Sequence, residues 1–182
     1  HPTNVSAALS RKPEIMVKGL NKSLDLSRML QVATSIVLGP GLGTGKWGLE
    51  IFRKTIKVNK PIVLDADGLN CLASHRHVRD DWVLTPHPGE GKRLLEKDCQ
   101  ADRINSVIEL SQYYRAIAGL KGLGTLISNE EGDVGLCPYG NPGMAVGGMG
   151  DILAGVIGAL MAQGISNFES AKLGVVLHSF AA

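Results

Sequence analysis

Short apolar runs alternate along the chain with longer segments in which apolar residues recur every three or four positions. Runs of the first kind are typical of buried strands, and segments of the second kind have the period of an amphipathic helix. The predicted strands are Glu14–Lys18, Ser35–Gly39, Pro61–Ala66, Trp82–Thr85, Ala116–Lys121, Thr125–Ser128 and Val134–Cys137. The predicted helices are Leu24–Ala33, Trp47–Val58, Gly68–Ser74, Glu90–Glu96, Asp102–Tyr114, Gly150–Gln163 and Asn167–Ala181.

The order of these elements predicts an α/β fold. Strands that are joined through helices pair in parallel with right-handed crossovers, so helices cover both faces of the sheet. Near the C-terminal end the pattern changes to short strands joined by turns, and Asn129–Asp133 is the predicted tip of a hairpin. In such sheets ligands bind beyond the carboxyl ends of the strands. Five loops of unusual composition are predicted at that edge: Gly39–Gly48, Asp65–Asn70, Thr85–Glu90, Lys121–Thr125 and Asn141–Gly150.

The last of these loops runs directly into an apolar helix and carries one acid, Asp151, where the helix begins. Gly147, Gly148 and Gly150 leave backbone N–H groups uncovered, and the first helical turn adds unsatisfied donors, so this corner attracts phosphate. A carboxylate would repel an anion there. It is better suited to take a proton from a substrate hydroxyl while the N–H groups hold a phosphoryl group in transfer. A plain helix cap is the alternative interpretation of Asp151.

The first loop, GPGLGTGKWG, does not fit a Walker A motif, because Pro40 replaces a glycine and Trp47 replaces the metal-binding Ser or Thr. It fits the dinucleotide fingerprint GxGxxG better, with an acid, Asp65, at the end of the next strand. A nicotinamide-dependent dehydrogenase is therefore one alternative. A glycine-rich turn that only reverses the chain is another.

The three middle loops add single side chains to the predicted cleft. In DADGLN we expect Asp65 to face the cleft and Asp67 to cap the following helix. His87 lies between two prolines that stiffen its turn, which suits a hydrogen bond to a ligand. In KGLGT, either Lys121 or Thr125 could reach a nucleotide phosphate or ribose, although a tight hairpin would explain the glycines equally well.

Composition narrows the class of protein. The 182 residues suit one domain, and 44% hydrophobic with 20% charged residues is typical of a soluble globular protein. A net charge of +2 without a basic run, and only 4% aromatic residues, argue against a nucleic-acid partner. Three scattered cysteines and no membrane-length apolar run predict reduced thiols, a cytoplasmic location and no membrane association. Three further histidines are interpreted as surface or packing residues: His75, His77 and His178.

Together, the five motifs resemble those of the NAD(P)H-hydrate dehydratase family, a branch of the ribokinase-like superfamily. GPGLG, DADGLN, TPHPGE, KGLGT and NPGMAVGGMGD occur in the family's order, and the resemblance runs from about Pro13 to the C-terminus. It implies a three-layer ribokinase-like fold with a mostly parallel central sheet. It also implies a lyase that converts hydrated NADH or NADPH back to the normal cofactor, with Mg²⁺ and a nucleotide co-substrate. The resemblance allows either ADP or ATP as that nucleotide. A homo-oligomer, with a tetramer as the usual form, is a further implication.

The resemblance also implies roles for individual residues. Asp151 would be the catalytic base and would contact the hydrated cofactor. Gly43 and His87 would contact it as well, and to these substrate-binding candidates we add Gly41, Asp65 and Asn70, which the resemblance itself does not assign. The nucleotide-binding candidates are Lys121, Gly122, Leu123, Gly124, Thr125, Gly147, Gly148 and Gly150. No metal-binding side chain is assigned.

The chain departs from the family pattern in places. Leu123 stands where the family usually has a small residue and would narrow the nucleotide pocket. Val146 replaces a Ser or Thr and removes a hydroxyl from the phosphate corner. Family members also begin with a further glycine-rich stretch and continue past Ala182, so we expect residues 1–182 to form one ribokinase-like domain truncated at both ends.

Two other functions remain as alternatives. A small-molecule kinase of the same superfamily would share the GxGD corner, but it has no reason to carry PHPGE and DADGLN together. A non-catalytic nucleotide-binding module would fit the apparent truncation.

Overall fold

The computed structural model describes residues 1–20 and 23–181. The chain divides into two compact units, His1–Ala33 and Thr34–Ala182. The first unit contains a 3₁₀ turn, Pro2–Asn4, and two helices, α1 (Val5–Arg11) and α2 (Ser23–Val32).

The sequence prediction for this first unit is partly wrong. Helix α2 is confirmed, but the strand predicted at Glu14–Lys18 is a turn followed by irregular backbone, and α1 was not predicted. A strand requires a hydrogen-bonded neighbour, and no described strand pairs with these residues. The Met16 side chain is accordingly fully exposed.

The second unit contains a six-stranded sheet in which spatial order follows chain order. The strands are β1 (Ile36–Leu38), β2 (Ile62–Leu64), β3 (Trp82–Leu84), β4 (Ile117–Leu120), β5 (Thr125–Ser128) and β6 (Val134–Cys137). The first four pair in parallel, whereas β5 is antiparallel to both β4 and β6. The six strands predicted in this unit are therefore confirmed, as is the hairpin tip at Asn129–Asp133.

Six helices accompany the sheet, close to the predicted positions. They are α3 (Lys46–Thr55), α4 (Ala66–Ser74), α5 (Pro88–Leu95), α6 (Arg103–Tyr114), α7 (Met149–Ala162) and α8 (Asn167–Phe180). A second 3₁₀ turn, Pro142–Met144, precedes α7. Within the described residues, no helix combines the length and the apolar character needed to cross a bilayer.

The sheet separates two hydrophobic cores because side chains alternate along each strand. Ile62 and Leu64 contribute to one core, which contains buried residues of α3, α4, α5 and α6. Val63 lies between them in sequence and contributes to the other core, together with residues of α7 and α8 such as Ile157 and Val175. The second unit therefore has the predicted three-layer architecture, with helices on both faces of the sheet.

The chain passes very close to itself where β1 and β2 end. Gly39 has a φ of +137°, and a Cβ built on it would lie 1.7 Å from the carbonyl oxygen of Asp65. A Cβ on Gly68 would lie 2.4 Å from the carbonyl oxygen of Leu38. Ala66 has a φ of +45°, which costs a non-glycine residue about 1 kcal/mol or more. Two predicted motifs are therefore held together by backbone contacts that leave no room for side chains.

All five candidate loops lie at one edge of the sheet. The carboxyl ends of β1, β2, β3 and β4 share this edge because these strands are parallel. Since Thr125 of β5 pairs with Cys137 of β6, the beginning of β5 and the end of β6 also lie there. The β4–β5 hairpin and the segment between β6 and α7 are consequently neighbours of the three earlier loops.

Candidate functional site

A cavity of about 390 Å³ opens at this edge, and its walls are mostly apolar. It is lined by Lys121, Gly122, Leu123, Thr125, Tyr139, Gly140, Asn141, Pro142, Met144, Ala145, Met149, Gly150, Leu153, Val175, His178 and Ser179. We call it the hairpin cavity, because the β4–β5 hairpin forms one wall and the first turn of α7 another. Five of the eight predicted nucleotide-binding residues line it, and Gly124, Gly147 and Gly148 do not.

Lys121 is the electrostatic centre of this edge. Its Nζ donates to Asp65 Oδ1 at 2.6 Å and lies 3.8 Å from Glu90 Oε2. The Asp65 side chain is 1% exposed and that of Glu90 7%, so one cation serves two buried carboxylates. A Cβ on Gly150 would lie 3.1 Å from Lys121 Nζ. Lys121 therefore connects the ends of β2 and β4 with the beginnings of α5 and α7.

We expect Lys121→Met to lower the free energy of unfolding by about 3 kcal/mol, because a buried carboxylate that loses its cation carries an uncompensated charge. Urea denaturation measures the change. Lys97→Met is the matched control: Lys97 pairs with Glu109 at the surface, and such a pair contributes at most about 1 kcal/mol. Adding Asp65→Asn to Lys121→Met should recover part of the loss. Equal stability of Lys121→Met and the wild type would contradict this assignment.

Of the two acids of DADGLN, Asp67 has a role that differs from the predicted one. Asp67 does not cap α4; its Oδ2 accepts the backbone N–H of Gly43 at 2.8 Å, and its Oδ1 accepts from Asn70 Nδ2. Asp65 occupies the N-cap position of α4, but its carboxylate accepts from Lys121 and forms no hydrogen bond with the first turn of the helix. The prediction for Asp67 is wrong because a longer-range donor, the first glycine loop, takes the carboxylate.

His87 is held firmly at the beginning of α5. Its Nδ1 accepts the N–H of Gly89 at 3.0 Å, and its own N–H donates to Glu90 Oε2 at 2.8 Å, which completes a capping box. Because Nδ1 accepts, the neutral ring carries its proton on Nε2. The Nε2 atom lies 3.5 Å from Glu90 Oε1, and the side chain is 52% exposed. Glu90, which the sequence analysis did not single out, is the residue that fixes the turn.

Asp151 is exposed in the first turn of α7, next to the hairpin cavity but not among its lining residues. Gly148 precedes the helix with a φ of +93°, and a Cβ on either Gly147 or Gly148 would meet nothing within 4 Å. The backbone N–H groups of Gly150 and Asp151 have no partner among the described residues. A carboxylate and open amides therefore occur together at this corner, as the motif predicted.

Two residues of the hairpin cavity's surroundings were missed. His178 lines the cavity, although it was interpreted as a surface or packing residue. Burial lowers the pKa of its ring, and a backbone hydrogen bond with Met149 opposes that shift. Arg103 donates to the carbonyl oxygens of Leu123, at 2.6 Å, and Leu120, at 3.2 Å, and so holds the hairpin. Neither residue belongs to a motif, and only the tertiary structure brings them here.

A second, more open cavity of about 590 Å³ lies beside α4. We call it the α4 groove; it is lined by Thr44, Leu49, Asn70, Cys71, Ala73, Ser74, His75 and Arg93. Of the predicted substrate-binding residues, Asn70 lines this groove. Gly41 and Gly43 have positive φ angles and lie exposed in the loop that ends at Thr44. Of the substrate-binding candidates, only Asn70 lines the α4 groove, whereas Asp65 and Asp151 lie beside the hairpin cavity.

The described residues contain no group of three or more His, Cys, Asp or Glu side chains that could enclose a metal ion. Mg²⁺ usually keeps several waters and is bound by one or two carboxylates together with substrate phosphates. An ion of that kind would be held mainly by nucleotide phosphates and water, and no described side chain is assigned to it.

Comparison with solved structures defines the class of the protein. A ribokinase-like superfamily protein from Enterococcus faecalis has a TM-score of 0.88 at 27% identity, covering 97% of this chain and 64% of that chain. The ADP/ATP-dependent NAD(P)H-hydrate dehydratase of Bacillus subtilis, co-crystallised with ATP and Mg²⁺, has a TM-score of 0.82 at 24% identity, over 98% and 65% of the two chains. The fold is ribokinase-like, as predicted.

Sequence comparison defines the family. A family model described as NAD(P)H-hydrate dehydratase matches residues 1–182, and the chain belongs to this family. A bifunctional NAD(P)H-hydrate repair enzyme from Coxiella burnetii is 46% identical over 184 residues, which cover 100% of this chain and 38% of that protein. An ADP-dependent (S)-NAD(P)H-hydrate dehydratase from Neisseria meningitidis is 37% identical over 187 residues, covering 97% and 62%. The chain thus spans less than two thirds of either relative.

Proposed function

We propose that this protein dehydrates hydrated NADH or NADPH to the normal cofactor, at the expense of a nucleoside diphosphate or triphosphate. The observation that carries the proposal is the hairpin cavity. Five residues predicted to bind nucleotide line it, and the last of them, Gly150, directly precedes the predicted base Asp151. A nucleotide in this cavity would have its phosphate end at the open amides of α7.

The proposed reaction has two steps. Asp151 takes the proton of the ring hydroxyl, whose oxygen attacks the terminal phosphorus and releases AMP from ADP or ADP from ATP. The ring nitrogen then donates its electron pair, the carbon–oxygen bond breaks, and phosphate leaves in place of the much poorer leaving group hydroxide. Loss of a proton from the neighbouring ring carbon restores the double bond of NADH or NADPH.

The chain's own groups have separate tasks in this scheme. The amides of Gly148, Gly150 and Asp151, at the positive end of the α7 dipole, stabilise the charge of the phosphoryl group in transfer. Lys121, fixed by its ion pair with Asp65, lies beside Gly150. A magnesium ion bound with the nucleotide would neutralise part of the phosphate charge.

The substrate side is assigned to the loops around Gly43 and His87. Asp67 fixes the Gly43 amide, and the capping box fixes the half-exposed His87 ring. A cytoplasmic location and a homo-oligomeric state, with a tetramer as the expected form, belong to the same proposal.

The function is tested by incubating the chain with hydrated NADH, Mg²⁺ and either ADP or ATP. We expect the absorbance of the reduced nicotinamide at about 340 nm to return in step with the release of inorganic phosphate. A reaction without nucleotide is the control and should show neither signal. A stable phosphorylated product would instead identify a kinase. Nucleotide binding without turnover would leave only a binding module.

A further inference from the structure

The α4 groove has two arginines at its walls and rim that are not paired with an acid in the described part of the chain. Arg93 lines the groove and donates from Nε to Asn70 Oδ1 at 2.9 Å, which leaves the outer nitrogens of its guanidinium available. Arg53 lies beside the groove, with Nη2 2.9 Å from Nε2 of His75, a lining residue. Neither arginine forms an ion pair with a residue that the structure describes.

The nearby carboxylates are already engaged. Asp67 accepts hydrogen bonds from the Gly43 amide and from Asn70, and Glu50 pairs with Lys54 at 2.5 Å. Among residues 1–20 and 23–181, no carboxylate lines the groove. The two guanidinium groups therefore make it attractive to an anion.

The His75 ring holds the Arg53 guanidinium beside the groove, with Nε2 as the acceptor. Because Arg53 donates to Nε2, the neutral imidazole carries its proton on Nδ1. This Nδ1 is buried and has no hydrogen-bond partner among the described residues. Thr44, a residue of the first glycine loop, also lines the groove and carries a hydroxyl group. Forked guanidinium groups, together with the Thr44 hydroxyl, can donate to several oxygens of one phosphate.

The groove is also connected to the proposed substrate loop. Arg93 donates to Asn70, Asn70 donates to Asp67, and Asp67 accepts the amide of Gly43. An anion on Arg93 would therefore lie at the end of a hydrogen-bonded chain that begins in the GPGLG loop.

We propose that the α4 groove binds a phosphate monoester, and that Arg93 and Arg53 thereby recognise the phosphate group that distinguishes hydrated NADPH from hydrated NADH. This assignment rests on the proposed function for the identity of the ligand, because a dinucleotide held at the Gly43 loop would bring its phosphates within reach of the groove. A free phosphate-bearing molecule offers the same chemistry, and the experiment separates the two sources.

The test measures binding by calorimetry and does not require turnover. The probes are ADP-ribose, 2′-phospho-ADP-ribose, which differs from it by one phosphate monoester, and inorganic phosphate. Arg93→Gln and Arg53→Gln are compared with Arg115→Gln, which makes the same change of net charge at a residue that pairs with Glu130 and does not line the groove. Both groove residues are on helix surfaces, and circular dichroism confirms that the variants are folded.

We expect the wild type to bind 2′-phospho-ADP-ribose about tenfold more tightly than ADP-ribose, and each groove variant to lose most of that preference. Arg115→Gln should retain it, and added salt should reduce it. Binding of inorganic phosphate that is lost in Arg93→Gln, without a preference between the two nucleotides, would support the phosphate site and assign it to free phosphates.

Two results would overturn the proposal: equal binding of both nucleotides with no phosphate binding, or a preference that survives in both groove variants. Failure of the proposed function is a separate outcome. In that case the absorbance assay shows no turnover of either hydrated cofactor, whatever the calorimetry gives.

Discussion

Asp151→Asn should lower the turnover of hydrated NADH by about 10²- to 10⁴-fold, the usual contribution of a positioned general base. The amide has almost the shape of the carboxylate, so the open N–H groups of α7 and the hairpin cavity should be preserved. Nucleotide affinity, measured by calorimetry, should therefore change little while kcat falls. A loss of binding with unchanged kcat would instead indicate that Asp151 only shapes the nucleotide site.

Glu169→Gln is the matched control for this variant. Glu169 lies in the first turn of the neighbouring helix α8, as Asp151 does in α7, and it is exposed and paired with Lys172. The same loss of one negative charge should leave kcat within about twofold of the wild type, since exposed ion pairs contribute little. If both variants lose activity equally, the effect comes from surface charge, and Asp151 is not the base.

Gly39→Ala should destabilise the second unit by more than about 4 kcal/mol, or prevent folding. The new methyl group would lie 1.7 Å from the carbonyl oxygen of Asp65, and the φ of +137° is one that L-residues rarely adopt. The obstacle is backbone and not a flexible side chain, so the two chain segments that follow β1 and β2 would have to move apart. Urea denaturation followed by circular dichroism measures the loss.

Two further glycines of the same loop separate the causes of that loss. Gly41 has a φ of +64° and open space where the new methyl group would lie, so Gly41→Ala should show the backbone cost alone, about 1–2 kcal/mol. Gly45 has a negative φ and open space, and Gly45→Ala should change stability by less than about 1 kcal/mol. Three equal values would show that close approach at Gly39 does not limit the fold.

The periodicity of the sequence was sufficient to predict the sheet and its functional edge. The strands at Ile62–Leu64 and Trp82–Leu84 are short, continuous and apolar, and such runs are buried on both faces in parallel sheets. The turn signal at Asn129–Asp133 predicted the reversal after β5. Once those elements were placed, the shared edge of the five motifs followed from the geometry of parallel strands.

Side-chain partners within that edge were harder to predict. Local rules made Asp67 a helix cap, but its carboxylate binds the amide of Gly43, 24 residues earlier in the chain. The pairing of Lys121 with Asp65 spans 56 residues, and no spacing rule describes it. Glu90 could have been found, because a His-Pro-x-Glu turn matches the spacing of a capping box.

The glycines illustrate a different limit. A glycine-rich loop in a sequence indicates backbone that another group can approach closely. The sequence does not say whether that group is a ligand or another part of the chain. Gly148 faces open space, as a phosphate cradle requires, whereas Gly39 and Gly48 are packed against backbone. The strand predicted at Glu14–Lys18 failed for a related reason, because pairing depends on a neighbour that a local pattern does not contain.

The turn between β5 and β6 lies at the end of the sheet opposite the hairpin cavity. It is closed by its own hydrogen bonds, from Asp133 N–H to Asn129 Oδ1 and from Gly132 N–H to the Asn129 carbonyl oxygen. A fluorophore, a surface tether or a short inserted peptide at Glu131 would therefore be remote from the hairpin cavity. This end of the molecule offers an attachment point for single-molecule or immobilised assays in which the opposite edge must remain accessible.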